Sequence, residues 1–138
     1  MLRSGSKMTG ETNLDELVRS MSAVLVEGLY VFVTVQHDQK LDGIEPRMTF
    51  REAEGTTYIL LKSEAETHGL SYEFPCRMIT LNIHSSLEAV GFMARIATEL
   101  AKHDMGVNPV SGYFHDHLFV PDGRQDDAMK VLNEMANT

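Results

Sequence analysis

The chain has 138 residues, 43% of them hydrophobic, and a formal charge of −8 from 20 acidic against 12 basic side chains. That length suits one ordinary domain or two very small ones sharing a core, and the apolar fraction excludes wholesale disorder. An acidic surface with no basic stripe repels phosphate backbones, so no nucleic-acid partner is expected.

Residues 1–12 read as a flexible Ser/Gly-rich tail, and no apolar run follows Arg3 and Lys7 as a secretory signal would require. Leu14, Leu17, Val18 and Met21 then fall at helical spacing, with Asn13 and Glu16 in capping-box positions. Gly28 opens the β-branched run Tyr30–Val35, which predicts a buried strand. The apolar stretch Leu29–Val35 is too short to span a bilayer, and no membrane partner is expected. A polar connection leads to two short strands, Met48–Glu52 and Thr57–Leu61, turning at Gly55. Ser63 and Glu66 predict a capped helix that Gly69 closes.

Pro75 is taken as a boundary. Beside it Cys76, the lone cysteine, excludes an intrachain disulfide, fits a reducing, cytoplasmic location and reads as a small buried side chain. Met78–Ile83 alternates as a half-buried strand. Ser85 and Glu88 predict the start of a helix whose core side is Val90, Met93, Ile96, Ala97 and Leu100, with Gly106 as its C-cap. Strands over Val107–Ser111 and Leu118–Val120 follow, then a helix burying Ala128, Val131, Leu132 and Met135. The pattern is an α+β chain with a hidden repeat. Strand, helix, strand, strand, helix after Pro75 matches the order before it, where only about a dozen residues stand in place of the first helix.

From Ile79 to Leu132 the chain resembles the ACT domain, the ferredoxin-like βαββαβ regulatory module of aspartokinases and other enzymes of amino-acid metabolism. The likeness lies in Met78–Ile83 as first strand, Val90–Ile96 opening the helix, Leu100–Asn108 running into the second strand, His117–Pro121 as the third, and Ala128–Leu132 in the last helix. Gly91 keeps the family's junction glycine, while Val90 stands where proline is usual. A final strand is not evident after the last helix and would have to come from elsewhere in the chain. The whole chain is similar to small standalone tandem-ACT proteins, which implies a first, abbreviated unit over 13–74, a second over 75–138, antiparallel sheets, and helices packed on one face.

The resemblance also implies a non-catalytic module that binds an amino acid or related metabolite as a homodimer, with no cofactor. The implied ligand site is the strand–helix junction His84, Ser85, Ser86, Leu87, Val90 and Gly91, with Asn108 on the strand beside it. A helix N-terminus carries unpaired N–H groups suited to a carboxylate, the serines add hydroxyls, and Gly91 permits close approach. The bland alternative is that Ser85 merely caps the helix and Asn108 merely ends a turn. A structural or partner-binding module without ligand is the second expectation. The third is a metal site at His115, Asp116 and His117, even a hydrolytic one with His84, although side chains at such spacing do not share one face of a strand. No nucleophile motif, phosphate loop or Cys-x-x-Cys accompanies them.

Overall fold

A computed structural model describes residues 10–83 and 90–138, the side chains of 10–13 excepted. The order is α1 (Gly10–Ser20), β1 (Ser22–Leu25), β2 (Tyr30–Val35), β3 (Met48–Arg51), β4 (Thr56–Leu61), α2 (Lys62–Thr67), β5 (Glu73–Asn82), α3 (Phe92–Lys102), β6 (Asn108–Ser111), β7 (Asp116–Pro121) and α4 (Gln125–Ala136). All strands join one antiparallel sheet in the order β3-β4-β2-β5-β7-β6, with β1 also on β5.

The ten-residue β5 organises everything. Its first half pairs with β2, its second half pairs with β1 on the same edge, and β7 runs along its other edge. One half of the sheet is therefore β3-β4-β2-β5 and the other is β6-β7-β5-β1. The strand missing after the last helix is β1, taken from near the N-terminus, with Ser22 opposite Asn82 and Leu25 opposite Ile79. No strand is expected there, because Ser-Ala-Val-Leu is short and follows the helix almost directly. Pro75 lies inside β5 rather than ahead of the strand.

Alternation sends Ile79, Leu81, Leu118 and Val120 to the helix side, where they meet Val18 and Met21 of the N-terminal segment, Phe92, Ile96 and Leu100 of α3, and Val131 and Leu132 of α4. Phe92, not Val90, fills the start of the α3 stripe; Val90 is 88% exposed. Val31, Val33 and Leu60 pack on Ala65 of α2 on the same side, with Ile44 from the 36–47 connection where the first helix is absent. The helices thus cover one face.

Two helix ends show how backbone chemistry decides a stop. At α2, Leu70 N–H donates to Ala65 O and Gly69, at φ 66°, takes the left-handed position that glycine favours. The expected Ser63 cap is absent: Leu61 holds the N-cap without a side-chain bond. At α3, Met105 N–H donates to Leu100 O and Asp104 N–H to Ala101 O, so Asp104 at φ 56° fills the position expected of Gly106. Aspartate tolerates that conformation by its short side chain, but at a cost. Asp104→Gly is expected to raise stability by about 0.5–1 kcal/mol, read as a higher melting temperature.

Candidate functional site

Opposite the helices, Tyr30, Ile59, Cys76, Met78 and Phe119 form a buried cluster, flanked by Phe32, Met48, Phe74 and Val110. No helix of the described residues covers them, so the sheet must cover itself. In a flat sheet β3 and β6 would stand about 24 Å apart, five strand spacings. Instead Met48 of β3 and Val110 of β6 line one pocket of 220 Å³. Thr57 of β4 and Asn108 of β6 line a second cleft of 490 Å³. The sheet is rolled into a trough, and the two cavities are its two ends. Phe119 stands between them, its ring edge-on to Tyr30 and to Phe32 at 6.2 Å each.

The larger cleft owes its shape to a fault in β5. Tyr30 is opposite Cys76, yet Phe32 is opposite Glu73, so β5 carries one extra residue there. Pro75 has no N–H to lose from the ladder, which suits it to a bulge. Phe74 absorbs the distortion at φ 55°, a left-handed backbone costing a bulky residue about 1–3 kcal/mol. Its ring is held edge-to-face against Phe32 at 5.7 Å. Around this aromatic wall lie the Glu73 carboxylate, the Thr34 and Ser71 hydroxyls, and the Asn108 amide from the other half of the chain. The Thr57 hydroxyl already donates to Glu52. An ammonium acceptor, carboxylate donors and an apolar wall therefore meet in one place.

Among the described residues, Asn108 is the one expected ligand contact that lines this cleft. It is opposite Phe119, which is itself opposite Met78 in mid-β5. Gly91 stands instead beyond the end of β5 on the helix side, at φ 86°, where an added Cβ would meet Leu14 at 3.3 Å. The structure parts Asn108 from Val90 and Gly91. His84, Ser85, Ser86 and Leu87 lie outside the described residues. Phe74, Glu73, Phe32 and Thr34 were not singled out by sequence. The available signal was a proline inside a strand, which marks a bulge.

The His-Asp-His stretch does not converge. His117 Nδ1 lies 3.0 Å from Thr80 Oγ1, while Asp116 accepts from Ser111 Oγ at 2.7 Å. His115 precedes the strand with its ring 6.3 Å from that of His117. Among the described residues no three His, Cys, Asp or Glu side chains could hold a metal together. Burial first, then the nearby His115 and Arg47, hold the His117 imidazole below its usual range, with Asp116 opposing. Burial, aided by Asp122, pushes the Cys76 thiol up to about 12, so it stays protonated and unreactive.

Residues 9–77 and 73–134 each match the ACT domain. A Vibrio cholerae protein of unknown function, described as a possible transport protein, is 41% identical over 93% of this chain and 99% of its own, with a TM-score of 0.84. The chain belongs to the ACT-domain family. Its two ACT units share β5, and the two matches overlap on Glu73–Arg77 within that strand. In the first ACT unit β5 is the last strand; in the second it is the first, and β1 closes the sheet. The fold is also that of an Agrobacterium tumefaciens protein, 14% identical over 84% of this chain and 89% of its own at TM-score 0.70. The regulatory subunit of aspartate kinase from Thermus thermophilus shares it at 9% identity, over 83% and 97%, with TM-score 0.59. No curated protein sequence matches the chain. Two ACT units make it a regulatory ligand-binding module. No helix of the described residues is long and apolar enough to cross a membrane.

Proposed function

We propose that this chain is a non-catalytic regulatory protein that binds an amino acid, or a small metabolite of the same chemistry, in the cleft beside Phe74. The observation that carries this reading is the left-handed backbone of Phe74 at the seam of the two ACT units. Strain of that kind persists where surrounding structure over-determines it, and it gathers at binding sites. Glu73 would take the ammonium group, Asn108 and Ser71 the carboxylate, and Phe32 and Phe74 the side chain. A cytoplasmic homodimer belongs to the same reading: Phe50 is 63% exposed beside the free edge of β3, which suits pairing with a second copy.

A thermal-shift screen of the proteinogenic amino acids, each with and without chelator, tests it. A ligand at 100 times its Kd stabilises by about 2.7 kcal/mol, several degrees of melting temperature. One responsive amino acid, indifferent to chelator, is expected. Phe74→Gly is then expected to weaken binding at least tenfold while shifting the melting temperature by only a few degrees. Relief of about 1–2 kcal/mol of backbone strain offsets the lost packing of a half-buried ring. Ser86→Ala, at the other candidate junction, should leave binding intact. The reverse result would move the site to the start of α3, and silence across the panel would favour a module that binds only protein.

A further inference from the structure

We propose that the smaller end of the trough is a second, separate binding site, for a short aliphatic monocarboxylate that carries no ammonium group. Arg47 is the anchor. Its backbone N–H donates to Ile59 O at 2.7 Å, and its guanidinium donates to the Tyr30 hydroxyl at 2.7 Å while lying 5.4 Å from the Tyr30 ring centroid. These three contacts aim the cation at the pocket and, among the described residues, use only one of its side-chain donors. Among the described residues no carboxylate forms an ion pair with it.

The rest of the pocket is hydrocarbon and one imidazole. Met78 and Phe119, 3% and 1% exposed, form the floor, with Met48 and Val110 on the two sides. His117 is tethered through Nδ1 to Thr80, which leaves Nε2 toward the pocket rim at Gly112. A Cβ on Gly112 would stand 3.4 Å from that nitrogen and 3.1 Å from His115 O. In the tautomer where Thr80 Oγ1 donates to Nδ1, Nε2 carries the proton and is a second donor to an anion.

The chemistry selects the ligand class. A planar cation with paired N–H groups matches a carboxylate, and apolar walls match an alkyl chain. A volume of 220 Å³ lies below the roughly 300–1,000 Å³ of drug-sized sites, so the chain is short. Phosphate gains little from one cation between methionines on a protein of charge −8. A free amino acid would set its ammonium group against Arg47, His117 or hydrocarbon, because Asp116 is turned away to Ser111 and His115 O is taken by Gly112 N–H. That requirement separates this pocket from the cleft containing Glu73.

The sign of the pH dependence follows. His117 is faced by His115 and Arg47, which disfavour its charged form, and by Asp116, which favours it. A bound carboxylate also favours the charged form, so binding tightens as pH falls and the His117 pKa rises on binding.

Isovalerate is the probe, titrated into the full chain by calorimetry at pH 7.0 and 5.5, with the His117 ring followed by NMR. Saturable binding, stronger at the lower pH, is expected, together with an upward shift of the His117 titration. Arg47→Met should weaken binding at least tenfold, the loss of a charge-assisted pair. Phe74→Gly should bind isovalerate as wild type does. Absence of binding at both pH values, equal affinity in Arg47→Met, an unmoved His117 titration, or loss in Phe74→Gly would each overturn the proposal. The His117 titration in wild type decides even if Arg47→Met fails to fold.

Discussion

A chain lacking residues 1–28 is expected to lose its second ACT unit, although that unit's other elements all lie after residue 72. The deleted segment holds α1 and β1. Val18 and Met21 are each 5% exposed in the main core, and Leu14, Leu17, Ala23 and Leu25 pack against it. Buried side chains of this kind contribute about 1.5–3 kcal/mol each. The deletion also unpairs the second half of β5 from Ile79 to Asn82 along one edge. Together these losses rival the roughly 5–15 kcal/mol that holds a whole domain. Circular dichroism and amide NMR are expected to show no cooperative transition for residues 78–136, with dye binding to the bared core. A peptide spanning 10–28, added back, should restore the transition. Unchanged two-state unfolding of the truncated chain would show that β1 is dispensable.

Phe119→Ala is expected to cost about 3–5 kcal/mol, a drop of roughly 10–15 °C in melting temperature for a chain of this size. Phe119 is 1% exposed and belongs to the second ACT unit, yet it packs against Tyr30 and Phe32 of the first. Because its ring divides the trough, removing it should merge the two cavities and impair both ligand sites at once. Phe114→Ala is the matched control. At 78% exposure it should stay within about 0.5 kcal/mol of wild type. Comparable losses in both variants would mean that the trough is held by general apolar content and not by this ring.

Sequence periodicity made most of this architecture legible, and the reasons for its failures are local. Tyr30–Val35 was readable because β-branched residues bounded by glycine leave few alternatives. Helices α3 and α4 were readable from their apolar stripes. β1 was not, since its four residues become a strand only by pairing with β5. The bulge beside Pro75 was not legible, because a proline reads first as an element boundary and only second as a bulge residue. The C-cap of α3 was misplaced by two residues because an aspartate took the conformation a glycine nearby could have taken. The candidate site was the least legible part. Asn108 stood out as an unusual strand residue, but the cleft it faces arises from the rolling of the sheet, which brings β4 and β6 together from opposite flanks. No local pattern encodes that approach.

The exchange of β1 into the far unit has a consequence for how the chain comes into being. A ribosome delivers Ser22 roughly sixty residues before Asn82, its partner across the ladder, and the whole first ACT unit is made in between. Until then α1 and β1 must wait with Leu14, Val18 and Met21 uncovered, while the shorter-range strands β2, β3 and β4 already have one another. Helix α4, made later still, then closes over α1 and β1. Newly made protein is therefore expected to pass through a stage in which the first ACT unit is formed while α1 and β1 stay loose, followed by a slower step that knits them onto β5.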